Sequence, residues 1–338
     1  MIKIRAAIIG CGNIYKNHAN ALFNSEFAEL VAVVDIDEKR VKAAAGEYNC
    51  TYYTDYKKML EDETIDVVHI CTPHYLHSVM AIDSMNAGKH VLVEKPMDIS
   101  IEKAYEMIEA KNKSGKHLGV AFQNRYNDSS IEAKKILCSG SLGEIKGIKA
   151  IITWNRDKNY YLSDEWRGKW NTEGGGALIN QSIHDLDLIQ WFGGEIQSIK
   201  GNVDLRVLND VIEVEDTADA TIRFKNGAVG IFYATNCYST NSSVLIEIHL
   251  EKGILRLSDG ELYLIQDGEK KLLCYDKAPD SEGKCYWGAG HKKMIKKFYE
   301  SIRNNSRDGY VTAEESIKSL KMIDEIYKSS MNKQIVLN

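Results

Sequence analysis

Proline is nearly missing from this chain, with three residues in 338. A residue that fixes φ and removes a backbone donor is therefore kept for a few places. Two of the three sit where an apolar run stops, in Cys71-Thr72-Pro73 and in Glu94-Lys95-Pro96. No apolar stretch approaches the roughly 18 residues of a spanning helix, which argues against a membrane protein. Seven cysteines are scattered with no close pair, so neither a metal site nor a disulfide framework is expected, and the thiols read as reduced. The chain also lacks an excess of one charge: 43 basic against 48 acidic residues leave a net charge of -5, with both signs dispersed. That excludes the clustered basic surface of a non-specific nucleic-acid binder. The opening MIKIRAAIIGCG runs straight into a strand pattern without a cleavable signal, so a cytoplasmic location is expected.

What is present is an ordinary globular composition, 44% hydrophobic and 27% charged, long enough for two domains. Residues 1–122 alternate apolar strands (4–9, 30–34, 66–70, 90–93, 118–121) with amphipathic helices (13–24, 75–87, 100–114), plus a third unit around Tyr52 and Lys58. Near-continuous apolar strands between helices predict a parallel sheet covered on both faces. From residue 123 the pattern changes. After a helix near 130–137 come longer alternating segments at 145–154, 196–208, 218–224, 228–234, 243–250 and 253–258. Turns such as Lys225-Asn226-Gly227 separate several of them, which predicts a large, mostly antiparallel sheet. One face of such a sheet is a natural oligomer interface. Helices at 292–303 and 313–328 close the chain and are expected to pack back on the first domain.

Four blocks carry chemistry. Gly10-Cys11-Gly12 follows the first strand and opens the first helix, where a tight turn lets a pyrophosphate meet backbone amides. Asp35 ends the second strand, where a carboxylate accepts the hydroxyls of an adenosine ribose and repels a 2′-phosphate, favouring NAD over NADP. The third glycine position holds Tyr15, and a Gly-x-Gly alone also fits an ordinary strand–helix turn. His74 and His77, after Thr72-Pro73, are candidate site residues or satisfied surface or capping histidines. Glu94-Lys95-Pro96 is either a structural ion pair or a lysine poised for proton handling at a strand end. Last, Gly174-Gly175-Gly176 leads into a helix that would place Asn180, His184 and Asp187 near one face, a hydroxyl-recognising cluster or a polar face with a buried histidine. Upstream lie Trp154-Asn155-Arg156, Tyr160-Tyr161 and Trp166-Arg167-Gly168, suited to sugar rings and anions or to a solvated loop with aromatic anchors.

In order and spacing, GCGNIY (10–15), VVDID (33–37), CTPHYLH (71–77), VEKPM (93–97), NRYN (124–127) and GGGALINQSIH (174–184) resemble the Gfo/Idh/MocA oxidoreductases. The resemblance spans essentially the whole chain. It implies an α/β protein with an N-terminal Rossmann domain and a C-terminal α/β domain carrying a large open sheet, a homodimer or homotetramer through that sheet, and a bound NAD. By position, it implies that Gly10, Gly12, Asn13 and Ile14 hold the pyrophosphate and Asp35 the ribose. Thr72, Pro73 and His77 would line the cofactor channel, and Glu94 would contact the nicotinamide ribose. Lys95 would border the cofactor and bind the reacting hydroxyl, with His184 as general acid/base. Substrate contacts are expected at Asn124, Arg125, Arg156, Tyr161, Trp166, Arg167 and Asn180. Asn180 stands where many members carry aspartate; an asparagine cannot take a proton, so that work falls to His184 and Lys95. The asparagine and the YY…WRG loop look more like members acting on pyranose rings, nucleotide sugars included, than like inositol dehydrogenases. The implied reaction is oxidation of a secondary hydroxyl by hydride transfer to NAD. An NAD-dependent glycosidase working by transient oxidation and a non-catalytic NAD-bound sensor remain open beside it.

Overall fold

The computed structural model describes residues 2–277 and 290–331, in two compact units. One takes the chain up to Gln123 and returns for a stretch ending at Ile317; the other starts at Asn124 and takes in the tail from Lys318.

The first unit lays down β1 (Ile4–Ile9), α1 (Tyr15–Phe23), β2 (Ala28–Val34), α2 (Glu38–Tyr48), β3 (Thr51–Tyr53), α3 (Tyr56–Leu60), β4 (Val67–Ile70), α4 (His77–Asn86), β5 (His90–Glu94), α5 (Ile101–Ser114) and β6 (Leu118–Ala121). All six strands pair in parallel in the order β3-β2-β1-β4-β5-β6. This doubly wound order reverses direction between β1 and β4, which puts a crevice at the carboxyl ends of those strands. β4 and β6 are buried along their length and β5 at all but its first residue, which is why these sequences read as near-continuous apolar runs. Asp37 and Ser100 cap α2 and α5 by accepting first-turn N–H groups, and Gly115 in a left-handed conformation ends α5.

In the second unit come α6 (Asp128–Ser139), β7 (Ile145–Thr153), a short α7 (Lys158–Leu162), a π-helical turn over Ala177–Gln181 and α8 (Ile183–Gly193). Then follow β8 (Ile196–Asp204), β9 (Thr217–Phe224), β10 (Val229–Thr235), β11 (Leu245–Leu250), β12 (Gly253–Ser258), β13 (Glu261–Gln266) and β14 (Glu269–Tyr275). Their order is β14-β13-β12-β11-β7-β10-β9-β8, antiparallel except for the β10–β7 pair. One expectation needs correction, and one hairpin is added. The strand predicted over 196–208 stops at Asp204, because the Asp216 carboxylate accepts the N–H groups of Arg206, Val207 and Leu208 and draws the chain into a loop. The hairpin of β13 and β14, with its lysine-rich, exposed outer strand, extends the sheet beyond the segments read from the sequence. The chain closes with α9 (Gly290–Arg303) and α10 (Ala313–Met331).

Candidate active site

In the first unit, the turn after β1 is built around Gly10. Its φ is +94°, and a Cβ there would stand 2.6 Å from the Cys71 carbonyl oxygen, so only glycine fits. The Cys11 N–H donates to Asp35 Oδ2 at 2.8 Å and the Asp37 N–H to Oδ1 at 2.9 Å, tying the end of β2 to this turn. Arg40 Nη1 reaches Asp35 Oδ2 at 3.4 Å and also pairs with Asp37. The N-cap residue of α1, Ile14, offers no side-chain hydrogen bond to the amides that open the helix. The Tyr15 ring meets Tyr48 edge-on, and its hydroxyl donates to Glu47 Oε2 at 3.3 Å. Thr72 Oγ1 is buried without a hydrogen-bond partner among the described residues. A glycine turn, helix amides without an N-cap side-chain bond and a buried orphan hydroxyl are what a dinucleotide phosphate and ribose would satisfy, so these residues fit NAD.

His74 and His77 are both buried rather than at the surface. The His77 ring lies between two carbonyls, Nδ1 2.7 Å from Pro96 O and Nε2 2.9 Å from Thr72 O, and so braces the two proline turns against each other. Burial pushes its pKa below the usual histidine range, against the pull of those carbonyls.

Glu94, at the end of β5, is buried, and its partners are histidines. Oε1 accepts from His18 Nε2 at 2.9 Å, with His291 Nε2 at 3.6 Å, and Oε2 accepts the Lys95 N–H at 3.3 Å. Behind it, His18 Nδ1 meets His69 Nδ1 at 2.8 Å, and His69 Nε2 meets the Tyr299 hydroxyl at 2.9 Å. Burial alone would raise the Glu94 carboxyl, but the N–H groups of His18 and His291 hold it well below the usual range. Burial keeps His69 well below its usual value, so this ring stays neutral. None of His18, His69, His291 and Tyr299 was read from the sequence as a site residue. They sit in α1, β4 and α9, and only the fold brings them together. His69 inside an apolar strand was the one available signal.

In the second unit, the glycine run allows close approach, but of this chain's own groups. A Cβ on Gly176 would collide with the Glu215 carbonyl and one on Gly175 with the Tyr327 hydroxyl. Glu215 Oε1 accepts from Gly176 N–H at 3.0 Å, Leu178 N–H at 2.9 Å and the Tyr327 hydroxyl at 3.0 Å. Of the three residues expected on one helix face, His184 and Asp187 lie three residues apart on α8, and Asn180 lies outside it on the π-turn. The Ser182 N–H donates five residues back to Ala177 O at 3.0 Å, a π-turn that separates Asn180 from α8. Asn180 donates its amide to buried Glu173. Asp187 instead takes a two-pronged grip from Arg125, 2.7 Å from both Nε and Nη2, and accepts from Ser319 Oγ at 3.1 Å. Arg125, expected to contact substrate, is buried and held in this ion pair. Tyr161, also expected to contact substrate, packs its ring with Leu208, Ile212 and Val214, and its hydroxyl accepts from Asn236 Nδ2 at 2.9 Å.

His184 is half-buried, and with Trp191 it is one of two positions of α8 not fully buried. Seven residues apart, the two share one helix face. Asn124, half-buried, lies on the 3-10 turn after β6. Arg167 pairs with Asp164 at 3.0 Å and stacks on Trp166 and Tyr160, with ring centroids at 4.9 and 4.4 Å. Arg156 is buried beside the π-turn.

A doubly wound domain with this turn, Asp35 and the Glu94-Lys95-Pro96 strand end defines a nucleotide-dependent oxidoreductase. The chain belongs to the Gfo/Idh/MocA family: residues 4–122 match its oxidoreductase domain with an NAD-binding Rossmann fold, and residues 131–256 match its C-terminal domain. It is similar to the uncharacterized oxidoreductase YrbE of Bacillus subtilis (strain 168), 32% identical over 237 residues, which cover 68% of this chain and 66% of YrbE. The aligned part is thus under two thirds of that relative, and it is 55–60% of the next ones. It is also 30% identical over 295 residues to D-glucoside 3-dehydrogenase of Escherichia coli (strain K12), covering 80% and 81% of the two chains. Among solved structures, the WlbA dehydrogenase from Bordetella pertussis, in complex with NADH and UDP-GlcNAcA, superposes with a TM-score of 0.85 at 30% identity, covering 98% and 97%. Among the described residues, no helix is long and apolar enough to cross a membrane.

Proposed function

We propose that this protein is an NAD-dependent dehydrogenase that oxidises a secondary hydroxyl of a pyranose-type sugar or nucleotide sugar. The observation that carries this reading is Lys95, placed by β5 at the carboxyl edge of the sheet directly after a carboxylate fixed by histidines. The sugar dehydrogenases among the relatives support it. NAD, when bound, supplies the hydride acceptor. Lys95 holds the reacting hydroxyl and stabilises the negative charge that develops on its oxygen, and His184 removes the hydroxyl proton. Asn180 offers an amide to a sugar hydroxyl but no proton. Asp35 selects NAD, and Arg40, committed to Asp35 and Asp37, is not a free cation for a 2′-phosphate. The protein would work in the cytoplasm as a homodimer or homotetramer formed through the open sheet.

The test is K95M against wild type, with NADH absorbance followed across a panel of sugars and nucleotide sugars. Turnover should fall by about a thousandfold or more while NAD affinity, read by calorimetry, stays within roughly twofold. Near wild-type turnover on the true substrate would remove Lys95 from the chemistry.

A further inference from the structure

Arg156 carries a buried charge that no described residue balances. Just past the end of β7, it is 9% exposed. Its Nε donates to Gln181 Oε1 at 3.2 Å, and Nη1 donates to the Asn155 carbonyl at 2.8 Å and to Asn241 Oδ1 at 2.7 Å. All three acceptors are neutral. Nη2 donates to none of the described residues, and none of their carboxylates forms an ion pair with this guanidinium. Its flat faces meet aromatic rings instead, Trp154 at 4.8 Å and Tyr160 at 5.3 Å. Arg167 shares the Tyr160 ring but has Asp164 as its counter-charge. Glu173, the buried carboxylate that acts on the Tyr160 hydroxyl, is held by the Gly168 N–H and the Asn180 amide.

Aromatic faces and amide oxygens recover only part of what a guanidinium loses on leaving water. Buried charges in folded proteins are paired or hold a ligand. The guanidinium fork is shaped for two oxygens of one anion, a carboxylate or a phosphate. Its place is also informative. Gln181 ends the π-turn that carries Asn180, and His184 follows three residues later. Gln181 Nε2 in turn donates to the Tyr160 hydroxyl at 2.7 Å, so the cation, the ring and the turn form one hydrogen-bonded group.

We propose that Arg156 anchors an acidic group of the substrate, so that the sugar oxidised is an anionic one. The inference rests on the dehydrogenase reading above and narrows its substrate class to sugars bearing a carboxylate or a phosphate.

The experiment uses full-length protein with NAD and two matched pairs: glucuronate against glucose, and UDP-N-acetylglucosamine against N-acetylglucosamine. NADH formation is measured for wild type, R156Q and R156K. In at least one pair, wild type should favour the charged member by about 30-fold or more in kcat/KM. In R156Q that ratio should collapse, chiefly through KM, and R156K should keep part of it. Preference within the first pair assigns the carboxylate, and within the second the phosphate. A neutral sugar preferred in both pairs, or R156Q lowering both members equally, overturns the inference and leaves the dehydrogenase intact. Absence of NADH from every sugar tested counts against the dehydrogenase reading instead. Calorimetry with the same pairs then decides this one: a charged member that binds wild type and not R156Q supports it, and no binding of either charged member overturns it. Should R156Q fail to fold, the R156K ratio decides: a reduced ratio supports the inference, and an unchanged one overturns it.

Discussion

Replacing Glu215 with glutamine should remove a defined piece of the pH dependence of stability. Glu215 is 3% exposed, and burial pushes its pKa from the usual 4.5 up to about 7 despite the donors on Oε1. A carboxyl raised in this way keeps its proton longer in the native than in the unfolded chain. Its contribution is therefore complete below about pH 4.5 and is lost as the pH climbs to about 7. Moving a carboxyl from 4.5 to about 7 corresponds to on the order of 3 kcal/mol. Glutamine keeps an oxygen for Gly176, Leu178 and Tyr327 and cannot ionise. The unfolding free energy of E215Q relative to wild type should thus rise by on the order of 3 kcal/mol across that window. Asp185, also raised to about 7 by burial, is present in both proteins and cancels in the difference. Urea unfolding in half-unit steps from about pH 4.5 to 8 measures it. A difference that stays flat within about 0.5 kcal/mol would refute the reasoning, because Glu215 would then ionise alike in both states.

Three further outcomes follow from the geometry. In G10A, a methyl 2.6 Å from the Cys71 carbonyl at φ +94° should force the turn open, weakening NAD binding at least about tenfold by fluorescence titration. R125M leaves Asp187 buried without its two-pronged partner and should cost about 3–5 kcal/mol in urea unfolding. The double variant R125M/D187L should lose clearly less, and equal losses would mean the pair is not coupled. H18L removes an N–H that holds the Glu94 carboxyl down. A depressed carboxyl stabilises the native state above its unfolded pKa, and that contribution is lost on acidification. Without the donor, acid unfolding should begin at a higher pH, and an unmoved midpoint would count against His18 as the donor.

The doubly wound sheet was legible because β4, β5 and β6 are buried almost throughout, so burial and sequence pattern coincide. The start of the helix over 100–114 was legible because a cap needs a given side chain at a helix end, and Ser100 supplies it. The reading failed where a distant residue decides a local outcome. Helical spacing set Asn180, His184 and Asp187 on one face, but the π-turn over Ala177–Gln181 takes Asn180 off the helix that carries the other two. Arg125 sat in a motif that marked it for substrate, while its partner lay 62 residues away. The histidines behind Glu94 come from α1, β4 and α9, and no local pattern joins them. Glu215 looked like any acidic residue between strands until the fold set it under the glycine run.

The burial of α8 bears on how such a protein can change its substrate. Nine of its eleven residues are buried, so the helix that presents His184 has almost no position free to vary without disturbing the core. The aromatic and arginine residues at 154–167 sit on a loop and one short helix, where substitution and insertion are better tolerated. The proposed acid–base residue is thus mounted on an element that resists drift, and recognition on one that permits it. New specificities should arise by remodelling 154–173 around an unchanged His184.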